Sequence, residues 1–87
     1  MGYNVLTTRQ FDRQVRALDR VAARRVVAEL ESVSRLDDPR SRGKALAGQF
    51  RGYWRYRVGD HRIIVDIRDA ELVVLALTVR HRGEVYR

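Results

Sequence analysis

Hydrophobic positions change their period near the middle of the chain. Phe11, Val15 and Leu18 recur at i, i+4 and i+7 and form one helical stripe, with Asp12, Arg13 and Arg16 off it. Thr7 and Gln10, at capping-box spacing, predict where that helix starts. Asp19 predicts a second N-cap. Ala22, Val26, Leu30 and Val33 then repeat the stripe until Asp37-Asp38-Pro39 stops it, since the residue before a proline is pushed out of the helical region. A helical hairpin with one shared buried side is expected, preceded by a short strand over residues 3–6.

Beyond residue 52 the period shortens to two. Segments 53–58, 61–68 and 71–79 are rich in aromatic and β-branched residues, and the turn candidates Gly59-Asp60 and Asp69-Ala70 separate them. Two consecutive hairpins make a meander, so the fold class is α+β: a short N-terminal strand and a helical hairpin packed on an antiparallel β-meander sheet. Residues 40–52 hold Gly43, Gly48 and Gly52 among basic residues and read as a surface connection, with Ala45-Leu46-Ala47 as a short strand or an anchor.

Two-residue loops would place Arg57 opposite Arg62 and Val58 opposite His61, and opposed side chains share a face. One face then gathers Trp54, Tyr56, Val58, Ile63, Val65, Ile67, Leu72, Val74 and Ala76, the side for the helices to cover. The other gathers Tyr53, Arg55, Arg57 and Arg62, together with Ile64, Val73, Leu75 and Leu77. That second face is too apolar to be only a solvated back. A terminal segment, a partner chain or stacked bases should cover part of it.

Length and composition narrow the partners. Eighty-seven residues suit one domain, 1–87, because two cores would each be too small to offset chain entropy. No apolar run approaches the roughly 18 residues of a helical span, and the N-terminus lacks a secretory pattern, so a cytoplasmic location without a membrane partner is expected. With no cysteine and two histidines, neither a metal site nor a cofactor is expected. The net charge of +7 attracts polyanions, and it is uneven. Residues 1–39 carry seven Arg against six Asp/Glu, while residues 40–87 carry eleven Arg/Lys against five.

Cleaving RNA without a metal requires activating a 2′-hydroxyl, stabilising extra negative charge at phosphorus and protonating the leaving oxygen. Guanidinium groups suit the middle task as preorganised donors, and aromatic rings can stack on bases. Arg62, Arg80, Arg82 and Tyr86 are candidates to converge at one edge of the polar face. Lys44, Arg51, Tyr53, Arg55, Arg57 and Arg80 would line the RNA-binding surface. The competing reading is of solvated charges at strand ends. Trp54 and Tyr56 alternate onto the helix side and read as core.

The string Gly52-Tyr53-Trp54-Arg55-Tyr56-Arg57-Val58-Gly59-Asp60-His61-Arg62-Ile63-Ile64-Val65 resembles the hairpin motif of the RelE/ParE toxin superfamily. His81-Arg82-Gly83-Glu84-Val85-Tyr86 resembles its closing motif, and the order of elements agrees over the whole chain. The resemblance implies the RelE-like microbial ribonuclease fold and a toxin of a type II toxin–antitoxin pair. RelE-type members are ribosome-dependent endoribonucleases that cut messenger RNA by 2′-hydroxyl attack, whereas ParE-type members inhibit DNA gyrase. It also implies a short, acidic, partly disordered antitoxin as partner, with the ribosome and messenger RNA as targets and promoter DNA bound indirectly through the antitoxin.

Carried over residue by residue, the resemblance makes Arg62 a phosphate and transition-state stabiliser, Arg82 the arginine of the closing motif with Arg80 as its alternative, and Tyr86 the tyrosine that stacks on the substrate. Arg55 and Arg57 occupy the strand where ribonuclease members carry two cationic residues, one of them often a lysine proposed as proton acceptor. Arginine does not deprotonate in proteins, so the general base is open. His81 is the candidate by chemistry, ahead of His61.

Overall fold

Thr8, not Thr7, caps the first helix: its Oγ1 accepts the Phe11 amide at 3.1 Å, and helix α1 runs Arg9–Ala17. The two threonines are adjacent and equally able to cap, and Thr7 is taken by the first strand, β1, Asn4–Thr7. Asp19 caps helix α2, Arg20–Ser34, accepting the Ala22 amide at 2.8 Å. The structure, a computed structural model, describes residues 2–83. Strands β2 (Lys44–Ala45), β3 (Trp54–Val58), β4 (His61–Arg68) and β5 (Val73–His81) complete it, with 3-10 turns at Pro39–Ser41, Gly48–Phe50 and Asp69–Glu71.

The sheet has the order β1-β5-β4-β3-β2 and is mixed, because β1 lies parallel to β5 while the other neighbours are antiparallel. The helical hairpin carries the chain from the β1 edge to the β2 edge across one face. Phe11, Val26, Leu30 and Val33 pack there on Tyr56, Ile63, Val65, Val74, Ala76 and Val79 in one core. Val15, Leu18, Trp54, Val58 and Ile67 border it. Each fully buried aliphatic side chain contributes about 1.5–3 kcal/mol.

The β3–β4 register is the expected one, with Arg57 opposite Arg62 and Val58 opposite His61. The β4–β5 connection differs. Arg68 pairs with Val73, so the loop is four residues long, and Leu72 sits there in the left-handed conformation at φ 54°, 43% exposed rather than in the core. Lengthening the loop by two residues preserves the alternation, which is why Val74 and Ala76 still face the helices.

A second difference matters more. Val65 pairs with Ala76 but Ile64 pairs with Thr78, leaving Leu77 as an extra residue on β5. This bulge reverses the facing of everything after it. Val79 turns into the core, and Arg80 and His81, expected beyond the last strand, are the final residues of β5.

The connection from α2 to β3 is tied down by the aromatic residues of β3. Tyr56 donates its hydroxyl to the Pro39 carbonyl at 2.7 Å, and the Trp54 indole donates to the Arg42 carbonyl at 2.7 Å. Both residues are therefore structural, as their alternation predicts. Gly43, at φ 85°, lies so close to the Arg55 carbonyl and the Tyr56 ring that a Cβ would collide with them.

Candidate functional site

On the face away from the helices, Arg57, Arg62 and Arg80 stand opposite one another across β3, β4 and β5. One row along, Lys44 and Arg55 are opposed across β2 and β3. Arg57 is exposed, whereas Arg55, Arg62 and Arg80 are half-buried and their Nε atoms are buried. Each of those guanidinium groups thus has its inner nitrogen enclosed in the protein. Five cations on one side of a small sheet create a positive field of the kind that concentrates polyanions.

Two clefts meet at Arg62. The larger, about 530 Å3, is lined by Leu46, Ala47, Phe50, Arg55, Arg62 and Ile64. The smaller, about 210 Å3, is lined by Arg57, Asp60, His61, Arg62 and Arg82. The connection therefore borders the apolar patch of the second face, where Ile64 is only 2% exposed. Phe50 was not singled out from sequence, since it lies in a glycine-rich turn with no period to mark it.

The remaining candidates divide. Arg82 lies at the end of the site, its amide donating to the Asp60 carbonyl at 2.6 Å and its guanidinium 3.6 Å from the Asp60 carboxylate. Tyr53 is exposed and precedes β3, and Arg51 is exposed in the turn before it. His81 does not join the arginines. It is opposite His61, their rings in edge contact at 5.3 Å, and both border a cleft with Asp19, Ala22 and Arg25 on the helix side of the sheet. The bulge that brings Arg80 to the arginine face sends His81 to the other. Tyr86 lies outside the described residues.

Burial pushes the Tyr56 hydroxyl well above the ordinary phenol range, in keeping with a structural donor. At the far end of the sheet the Arg40 guanidinium and then the Tyr3 hydroxyl hold the Asp69 carboxyl below the usual carboxylate range. Among the described residues no three histidines, aspartates or glutamates are grouped to hold a metal ion, and no helix is long and apolar enough to cross a membrane.

A basic sheet face backed by a helical hairpin defines a class, and comparison with known proteins gives it a name. Residues 5–86 match the family of ParE toxins of the type II toxin–antitoxin system parDE, and the chain belongs to that family, within the RelE/ParE superfamily. Among curated proteins nothing matches significantly. The fold is similar to that in the RelBE2 toxin–antitoxin complex of Mycobacterium tuberculosis, at 28% identity, covering 97% of this chain and 95% of that one, with a TM-score of 0.85. It is also similar to the archaeal RelE–RelB complex of Pyrococcus horikoshii, at 24% identity, 98% and 100% coverage and a TM-score of 0.77. A free Escherichia coli RelE mutant shares the fold at 18% identity, 95% and 86% coverage and a TM-score of 0.78.

Proposed function

We propose that this toxin binds ribosome-bound messenger RNA on its arginine face and cleaves it there, and that a short acidic antitoxin neutralises it by covering the same face. The observation that carries this reading is the row Arg57–Arg62–Arg80, flanked by an apolar cleft and a cationic one that share Arg62. A nucleotide has those two requirements side by side: a flat apolar base and an anionic phosphate. In the reaction the ribose 2′-oxygen bonds to phosphorus while the bond from phosphorus to the 5′-oxygen breaks. The 2′-proton leaves to solvent and a proton returns to the 5′-oxygen, giving a 2′,3′-cyclic phosphate and a 5′-hydroxyl. Arg62 and Arg80 donate to the non-bridging oxygens as their charge grows, Arg55, Arg57, Lys44 and Arg51 hold flanking phosphates, Arg82 closes the site, and Tyr86, outside the described residues, is assigned the stacking on the substrate.

A second reading, gyrase inhibition without nuclease activity, is favoured by the ParE family match and by His81 lying on the helix side of the sheet, away from the arginine row. Inducible expression separates the two. Transcripts should be cut and translation should stop before replication does. Intact transcripts with failing DNA supercoiling would overturn the nuclease reading in favour of the second.

A further inference from the structure

The bulge at Leu77 is stapled from outside the sheet. Parallel pairing of β1 with β5 ends at Thr7 opposite Ala76, so the next stretch of β5 has no strand on that side. Helix α1 supplies the missing partners. The Thr8 amide donates to the Ala76 carbonyl at 3.1 Å, and Thr8 Oγ1 donates to the Leu77 carbonyl at 2.9 Å while it caps α1. Gln14 Oε1 then accepts two hydrogen bonds, from Thr78 Oγ1 at 2.9 Å and from the Val79 amide at 2.8 Å. Gln14 is half-buried, and Thr78 is 6% exposed. An amide with no acceptor at that depth is costly, so the doubly bonded oxygen selects the bulged path over a regular one.

The regular path has a definite consequence. If β5 continued in the register of Val65 with Ala76, Val79 would fall opposite Arg62 and Arg80 opposite His61, on the helix side. One extra residue therefore decides whether Arg80 belongs to the arginine row or to the core face. We propose that Gln14 is a positioning residue for this toxin: by fixing the bulge it places the Arg80 guanidinium beside Arg62, where it grips a phosphate. The phosphate grip rests on the nuclease reading above; the placement of Arg80 does not.

Two variants separate the acceptor from the shape. Gln14→Met removes the acceptor at similar volume, whereas Gln14→Glu keeps one. The full-length toxin, released from its antitoxin, is titrated with a single-stranded oligonucleotide whose 2′-hydroxyls are replaced by hydrogen, so that it binds without being cut. Arg80→Ala should lower the slope of log affinity against log salt by about 0.7, the value for one lost contact on a single strand. Gln14→Met should lower it by the same amount, Gln14→Glu should match the parent, and Gln14→Met combined with Arg80→Ala should be no weaker than Arg80→Ala alone. A parental slope in Gln14→Met, or losses that multiply in the double variant, would overturn the proposal.

A parent that does not bind the oligonucleotide, or an Arg80→Ala variant that binds normally, would instead overturn the phosphate grip of Arg80 and not its placement. Placement is then judged by the nitrogen–proton resonance of Arg80 Nε. It should move in Gln14→Met and return in Gln14→Glu; an unmoved resonance rejects the positioning role. If Gln14→Met does not fold, Thr78→Val, which removes one of the two donors, carries the same measurements.

Discussion

At the scale of single residues, Arg62 is where the site concentrates. It has an arginine opposite it on each neighbouring strand and lines both clefts. Arg62→Ala is expected to slow cleavage on programmed ribosomes by roughly 10- to 1,000-fold, the range for removing one preorganised donor. Its unfolding midpoint in urea should stay near the parent's, since dispersing a row of like charges offsets lost packing. Tyr56 is the contrasting case, an aromatic residue within an arginine-bearing strand that does structural service. Tyr56→Phe leaves the Pro39 carbonyl without its 2.7 Å donor and should cost about 1 kcal/mol of stability by urea titration, with cleavage unchanged.

Among elements, the tie at the far end of the sheet joins three of them. Asp69 in the β4–β5 loop takes two bonds from Arg40 after α2, at 2.9 and 3.0 Å, and one from Tyr3 before β1, at 2.8 Å. Its carboxyl is held low, so the tie contributes stability at pH above about 4, where the unfolded chain's carboxyl is already ionised, and loses it as pH falls through the lower folded value. Asp69→Asn should therefore unfold at lower temperature than the parent at pH 7, with the gap closing in acid. Because the group is exposed, added salt should narrow the gap as well.

The elements also show how far the amino-acid pattern reaches. The β3–β4 register was legible because Gly59-Asp60 makes a tight loop whose geometry is local, and Arg57 and Arg62 sit next to it. Asp69-Ala70 carries no comparable signal, and the four-residue loop with Leu72 in a left-handed conformation was misread. The bulge was not legible at all. Its causes, Thr8 and Gln14, lie more than 60 positions from the residues they bond, and neither falls on the apolar stripe of α1. His81, the candidate base by chemistry, lies on the helix side of the sheet while Arg80 lies on the other, because adjacent strand residues face opposite ways.

For the whole molecule, the net charge of +7 sits mainly in the sheet half, and its effect should be read in salt rather than in a single affinity. Binding to RNA should weaken steeply between low and physiological salt, with a slope that falls as Arg55, Arg57 and Arg62 are removed one at a time. A salt-independent affinity would contradict phosphate contact. The parallel pairing of β1 with β5 has a different kind of consequence. Asn4 meets Val73, 69 positions away, and the arginine row is completed only by a residue further on still. Chains grow from the N-terminus, and contacts between distant segments form last. A nascent chain therefore has no finished weapon while most of it is still being made. The order in which its strands can meet therefore delays completion of the arginine row until the end of synthesis.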